Sequence, residues 1–273
     1  MQEIDIDLVD LLIGSSVFII PLMILFYYKT LLVRDSILAF LRMGLQLSFV
    51  GIYLKFIFDI NEWWLNALWI LLIMVAAAAT IISRVELKMK IFFLPVLLSL
   101  VAGFFLNCCW IAYVLGSSFY LDARYLIPVA GMLLGNGLTS AIIGIRSFHK
   151  ALSENYESYK YNIICGATKS EALFPLISSA MKDAFSPTIA NTASIGLIWL
   201  PGMMVGQLLG GSDPGYAIKY QVLVLLAVYV GSVVTVILCI NFSRIIAFDD
   251  YDMMKPDIGA VKKKLFRKNN KPG

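Results

Sequence analysis

The length of the uninterrupted apolar runs constrains this chain more than any other feature. The stretch "VLVLLAVYVGSVVTVILCI" (222–240) carries no charge, and comparable runs recur along the sequence. Roughly 20 helical residues cross the ~30 Å hydrocarbon core of a bilayer. In lipid only helices and closed barrels satisfy every backbone N–H and C=O, and these runs lack the apolar–polar alternation of a barrel strand. With 60% of 273 residues hydrophobic and 15% charged, the composition is far from that of a soluble domain. The expected fold class is therefore all-α, a polytopic membrane helical bundle.

Seven spans are predicted, at 9–28, 36–58, 64–82, 91–115, 126–146, 188–210 and 219–247. An odd number places the termini on opposite sides. Basic residues follow the first, third and fifth spans (Lys29, Arg34; Arg84, Lys88, Lys90; Arg146, Lys150, Lys160, Lys169, Lys182) and fill the tail from Arg244 onward. The alternate loops are acidic or neutral, with only Arg124 and Lys219 near them. Because Lys and Arg are retained on the cytoplasmic side, the N-terminus is expected outside and the C-terminus inside. The acidic start "MQEIDIDLVD" lacks the positive opening of a secretory signal, so the first span is expected to persist in the mature protein. Residues 1–248 read as the transmembrane domain, with a cytoplasmic segment at 147–187 inside it and a basic tail at 249–273. The tail reads as an ordinary topology signal in preference to a patch for anionic lipid or nucleic acid. Cys108, Cys109, Cys165 and Cys239 have no metal-type spacing and read as packing residues.

The segment from Arg146 to Pro187 is long enough to carry structure of its own. Phe148, Leu152, Tyr156, Tyr159 and Ile163 recur at helical spacing, and Gly166 then ends the helix, because glycine tolerates the left-handed cap. Thr168 and Glu171 form T-x-x-E, a capping box that opens a new helix. Pro175 is expected to close that helix after a short run, and Pro187 to break the chain again before the sixth span. Two readings stay open: a knob displayed to a cytoplasmic partner, or an amphipathic stretch lying on the headgroups.

The string "CGATKSEALFPL" resembles the cytoplasmic coupling loop of ABC-transporter permeases. "LRMGLQLSFVGIYLKFIF" (41–58), "GMLLGNGLTSAIIGIRSF" (131–148) and "LPGMMVGQLLGGSDPGYAIKYQ" (200–221) are similar to the FetB-type iron-export permeases and to the plant aluminium-tolerance permeases. The resemblance implies a multi-pass subunit of the inner (plasma) membrane. It would dock a separate ATPase through Gly166, Ala167, Thr168, Glu171 and Pro175, pair with a second copy of itself, and export iron or a related metal. The chain itself would not be an enzyme: ATP and Mg would sit on the partner, and no cofactor on this chain. Read without the resemblance, "GATKS" lacks the upstream glycine of a phosphate-binding loop, so no nucleotide site is expected here.

Polar residues at membrane depth are costly and become pathway candidates. Gln46 and Arg42 share a face of the second span, where Arg42 can also snorkel to the interface. Asn136 and Ser140 share a face of the fifth, where the competing use is hydrogen bonding between helices. In the sixth, Pro201 and Gly202 are expected to loosen the backbone near mid-membrane. Gly202, Gly206 and Gly210 recur every fourth residue and read as a face for a neighbouring span or a second protomer. Met203, Met204 and Gln207 read as lining the route, the two methionines as gate packing in preference to ligands, since iron favours imidazole, carboxylate or thiolate. No metal-ligand set emerges. His149 reads as a solvated helix residue. The rival function is an ATP-independent secondary transporter or channel for a metal or small solute.

Overall fold

The computed structural model describes residues 7–116, 122–249 and 252–253. Most of the basic tail, and the middle of the loop before Asp122, lie outside the described residues. All regular elements among the described residues are helical, as the apolar runs require. The chain divides into two compact units, residues 1–60 and 61–273.

The first unit contains α1 (Leu8–Ser15), a 3-10 turn (Ser16–Phe18), α2 (Ile19–Tyr27) and α3 (Val33–Ile60). Together α1, the turn and α2 form one apolar crossing from Val9 to Tyr27, and α3 forms another. The Phe18 and Phe40 rings meet at 4.1 Å and tie the two together.

The second unit contains α4 (Trp63–Val85), α5 (Met89–Leu115), α6 (Ala123–Glu154), α7 (Tyr156–Ile164), α8 (Lys169–Ser194), α9 (Gly202–Leu209) and α10 (Pro214–Ala247). Two of its helices, α6 and α10, start at acidic caps. Asp122 accepts from the Arg124 N–H at 2.9 Å, and Asp213 accepts from the Tyr216 N–H at 3.1 Å with Pro214 opening α10. Helix α10 packs on α5 and α6, while α6 packs on α4 and α8. Ile82, Ile145, Phe148, Leu173 and Ile240 are fully enclosed in the resulting core. The tightest approach joins α5 to α10: a Cβ on Gly231 would collide with Asn107 Nδ2, and one on Gly103 with Thr235 Oγ1. Small residues let helices in lipid come this close.

Among the described residues six helical stretches are long and apolar enough to cross a membrane: Val9–Tyr27, Val33–Ile60, Trp63–Val85, Met89–Val114, Ala123–Glu154 and Pro214–Ala247. The segment expected as the sixth span, 188–210, is not one helix. Its first part belongs to α8, which ends at Ser194, and its last part is the eight-residue α9.

A second difference concerns the prolines: α8 runs unbroken for 26 residues through both Pro175 and Pro187. A helical proline costs about 3 kcal/mol. At Pro175, burying the neighbouring Leu173 and Leu176, which face the core, contributes about 3–6 kcal/mol where the alternative is water. Tertiary burial outweighs the local penalty, so the helix expected to be short is long.

Candidate docking corner and membrane cavity

The residues singled out around Gly166 form a single well-defined corner. Helix α6 ends at Glu154, Asn155 turns the chain, and α7 carries it to Ile164. Gly166 then adopts φ +94°, a conformation that favours glycine. Its N–H donates to Ile163 O at 3.0 Å, and the Ala167 N–H donates to Asn162 O at 3.0 Å, the two-bond Schellman closure. The next helix opens at once. The Thr168 N–H donates to Glu171 Oε2 at 2.8 Å, and the Glu171 N–H donates to Thr168 Oγ1 at 3.3 Å, which completes the capping box. The bond from the Thr168 N–H foremost, with a second from the Thr168 hydroxyl to the same carboxylate oxygen, holds the Glu171 pKa below its usual value. Pro175 lies one turn further along α8 and lines a groove of about 360 Å³ with Asn155, Tyr159, Asn162 and Leu176. Ile164 and Phe174 project from the corner, 81% and 71% exposed.

The sequence alone gave no sign of what braces this corner from behind. The chain after α10 folds back onto it. Lys169 Nζ lies 3.0 Å from Asp252 Oδ1 and 4.5 Å from the centre of the Phe248 ring. Tyr159 donates its hydroxyl to Asp252 O at 2.8 Å, and burial foremost, with the charge of Asp252 second, pushes its pKa up to about 12. Phe248 is buried against Tyr159. His149, expected in solvent, is instead buried edge-on to Phe92, because the face of α6 that bears it is the core face.

The pathway candidates divide between different surroundings. Gln46 lies on α3 in the first unit. Ser140 and Met204 are buried in packing, and Met203 is half-buried against the cluster formed by Val129, Leu133 and Val224. Gln207 is half-buried, and its Oε1 has no hydrogen-bond partner. Asn136 lines a cavity of about 230 Å³. A Cβ added to Gly202 or Gly206 would meet nothing within 4 Å, and one on Gly210 only the backbone of its own helix. The close packing expected of these three glycines is thus not made within the chain. Gly103, Gly144 and Gly231 make it instead.

The cavity that holds Asn136 is built at the break between α8 and α9. Thr188, Asn191 and Thr192 supply one wall, and Trp199 and Pro201 of the connection with Gly202 of α9 supply another. Tyr229 of α10 closes it beside Asn136 and Met132 of α6. The connection is a tight turn: Gly196, at φ +87°, donates its N–H to Trp199 O at 2.9 Å, and Trp199 Nε1 donates to Ser194 Oγ at 3.0 Å. Pro201 and Gly202, read as loosening the backbone, mark the end of this turn. Gly196 marks the break in the sequence: it stands five residues before Pro201, in a stretch so apolar that it reads as a continuous span. Among the described residues no group of three His, Cys, Asp or Glu side chains is placed to hold a metal ion.

Fold and site together define a multi-pass helical membrane protein with a braced corner between two of its helices and a polar cavity at a broken one. The model of the Uncharacterised protein family UPF0014 matches residues 8–248, and the chain belongs to that family. Similar proteins include the UPF0014 membrane protein YjkA of Bacillus subtilis, 27% identical over 216 residues that cover 77% of this chain and 83% of the relative. The Probable iron export permease protein FetB of Escherichia coli is 28% identical, with 84% of this chain and 88% of the relative covered. The protein ALUMINUM SENSITIVE 3 of Arabidopsis thaliana is 29% identical, with 78% and 77% covered. No solved structure matches the chain.

Proposed function

We propose that the chain is the membrane-embedded permease subunit of an ABC transporter that exports iron or a related metal. A separate ATPase would bind ATP and Mg, and two copies of the chain would work with two ATPases. The observation that carries this reading is the corner at 165–171, whose Schellman closure and capping box fix a rigid turn with Ile164 and Phe174 standing out from it. Exposed aromatic and aliphatic side chains beside water are typical anchors for a partner. The FetB relative supports iron as cargo by its printed name.

In this reading the corner is cytoplasmic, and α8 is the mechanical link. Its first turn meets the ATPase, its middle is tied to α6 through the Ser147 hydroxyl, which donates to Asp183, and its last turns line the membrane cavity. A displacement imposed at Thr168 is thereby carried along one continuous helix to Thr192. Nucleotide state can bias the two access states only if the ATPase contacts the corner differently in each. The test is affinity purification of the chain together with its ATPase, comparing wild type with Ile164→Asp and Phe174→Asp. The reading expects recovery of the ATPase to fall at least tenfold in both variants, while undiminished recovery contradicts docking at this corner.

A further inference from the structure

The cavity at the break of α8 lies beside Asn136, midway along the apolar stretch 126–146 of α6. Helices α6 and α8 run antiparallel: Ser147 meets Asp183, Gly144 faces Ala184, and Asn136 shares the cavity with Thr188, Asn191 and Thr192. At 1.5 Å per residue, Asn136 lies about 16 Å along the axis from Ser147, roughly half of a ~30 Å core. Backbone that leaves the helix at this depth is tolerated only where it is buried in protein or lines a water-filled cavity. Residues 196–200 are exposed, so burial in this chain does not account for the break, and the polar wall beside it points to water.

The polar part of the lining is chemically uniform, and Met132, Ile195, Leu225 and Val228 make up most of the remaining wall. Two amides (Asn136, Asn191) and two hydroxyls (Thr188, Thr192) stand opposite the aromatic rings of Trp199 and Tyr229. None of these is a carboxylate, thiolate or imidazole, the groups that replace the water or organic ligands of iron. Asn136 Nδ2 already donates to Met132 O at 2.9 Å and the Thr192 hydroxyl to Thr188 O at 2.8 Å, which leaves their oxygens as acceptors, while the Asn191 amide and the Thr188 hydroxyl can donate to oxygen atoms already bound to a metal, all without a formal charge that would trap the cargo. Aromatic faces supply apolar surface against the carbon skeleton of a chelate. We propose that this cavity is the cargo site and that it takes the metal as a complex with its oxygen-rich ligand shell intact, not as a bare cation. The proposal rests on the reading of the chain as a metal exporter and adds the form in which the metal travels.

Cysteine accessibility tests it without any ATPase, so its failure is separable from failure of the docking reading. Asn191→Cys and Thr192→Cys, both at exposed positions, are made in the full chain with the four native cysteines replaced, alongside Phe105→Cys, an exposed position on α5 at similar depth. In vesicles, a water-soluble methanethiosulfonate is expected to modify the cavity cysteines at least tenfold faster than Phe105→Cys. Adding the iron(II)–citrate complex is expected to slow that reaction at least threefold, and iron(II) alone or citrate alone to leave it unchanged. Rates equal to that of Phe105→Cys overturn the aqueous site. Protection by iron(II) alone as strong as by the complex, or no protection by the complex, overturns the assigned cargo form.

Discussion

Two residues decide the geometry of the corner, and both were legible from sequence because their requirement is local. Gly166 is needed for its positive φ, and a Cβ there costs about 1–2 kcal/mol. Gly166→Ala is therefore expected to destabilise the purified chain by that amount in denaturant or thermal unfolding, and to reduce ATPase recovery more than its stability loss explains. Glu171 sets the pH response. Its pKa is depressed in the folded chain, so the contribution of the capping box is complete above the ordinary carboxylate range and is lost as pH falls through the lowered value. The amides of 168–171 should accordingly exchange more slowly in wild type than in Glu171→Gln at pH 7. That difference should vanish in strong acid, and a difference that persists there contradicts the carboxylate's role. His149 shows the limit of local reading: one residue near a span end gives no indication of which face of α6 it occupies, and the packing of α5 against it decided the outcome.

At the scale of elements, α8 and the chain after α10 depart furthest from a sequence reading. Proline is a strong local breaker, yet α8 passes two of them because its other face is buried by α6. The true break follows at Gly196, where composition hid it. The brace behind the corner combines an ion pair and a buried ring, and magnitudes separate them. Lys169 and Asp252 are partly exposed, so Lys169→Ala is expected to cost less than about 1 kcal/mol. Phe248→Ala removes a buried ring and is expected to cost about 3–5 kcal/mol. Thermal unfolding of the two variants in detergent orders them, and a larger loss from Lys169→Ala would assign the brace to charge. The same comparison applies to glycines. Gly231→Ala should destabilise by about 1–3 kcal/mol through the clash with Asn107, whereas Gly206→Ala, facing open space in the single chain, should be near neutral in a monomeric preparation.

For the whole molecule, the all-helical membrane class followed from the length of the apolar runs alone, since lipid leaves a chain so few alternatives. Five of the seven predicted spans, at 36–58, 64–82, 91–115, 126–146 and 219–247, lie within single long helices, and 9–28 corresponds to α1, the 3-10 turn and α2. The cavity was legible only through Asn136 and the Pro201–Gly202 pair. Thr188, Asn191 and Thr192 read as the start of an ordinary span until the antiparallel pairing of α6 and α8 brought them opposite Asn136. In the proposed function, energy released on another subunit reaches this cavity through α8. ATP-dependent movement of iron across proteoliposomes holding the chain and its ATPase measures it most directly. Flux that requires ATP and falls at least tenfold in Phe174→Asp is the predicted result; equal flux from the chain alone, without ATPase or ATP, would contradict it.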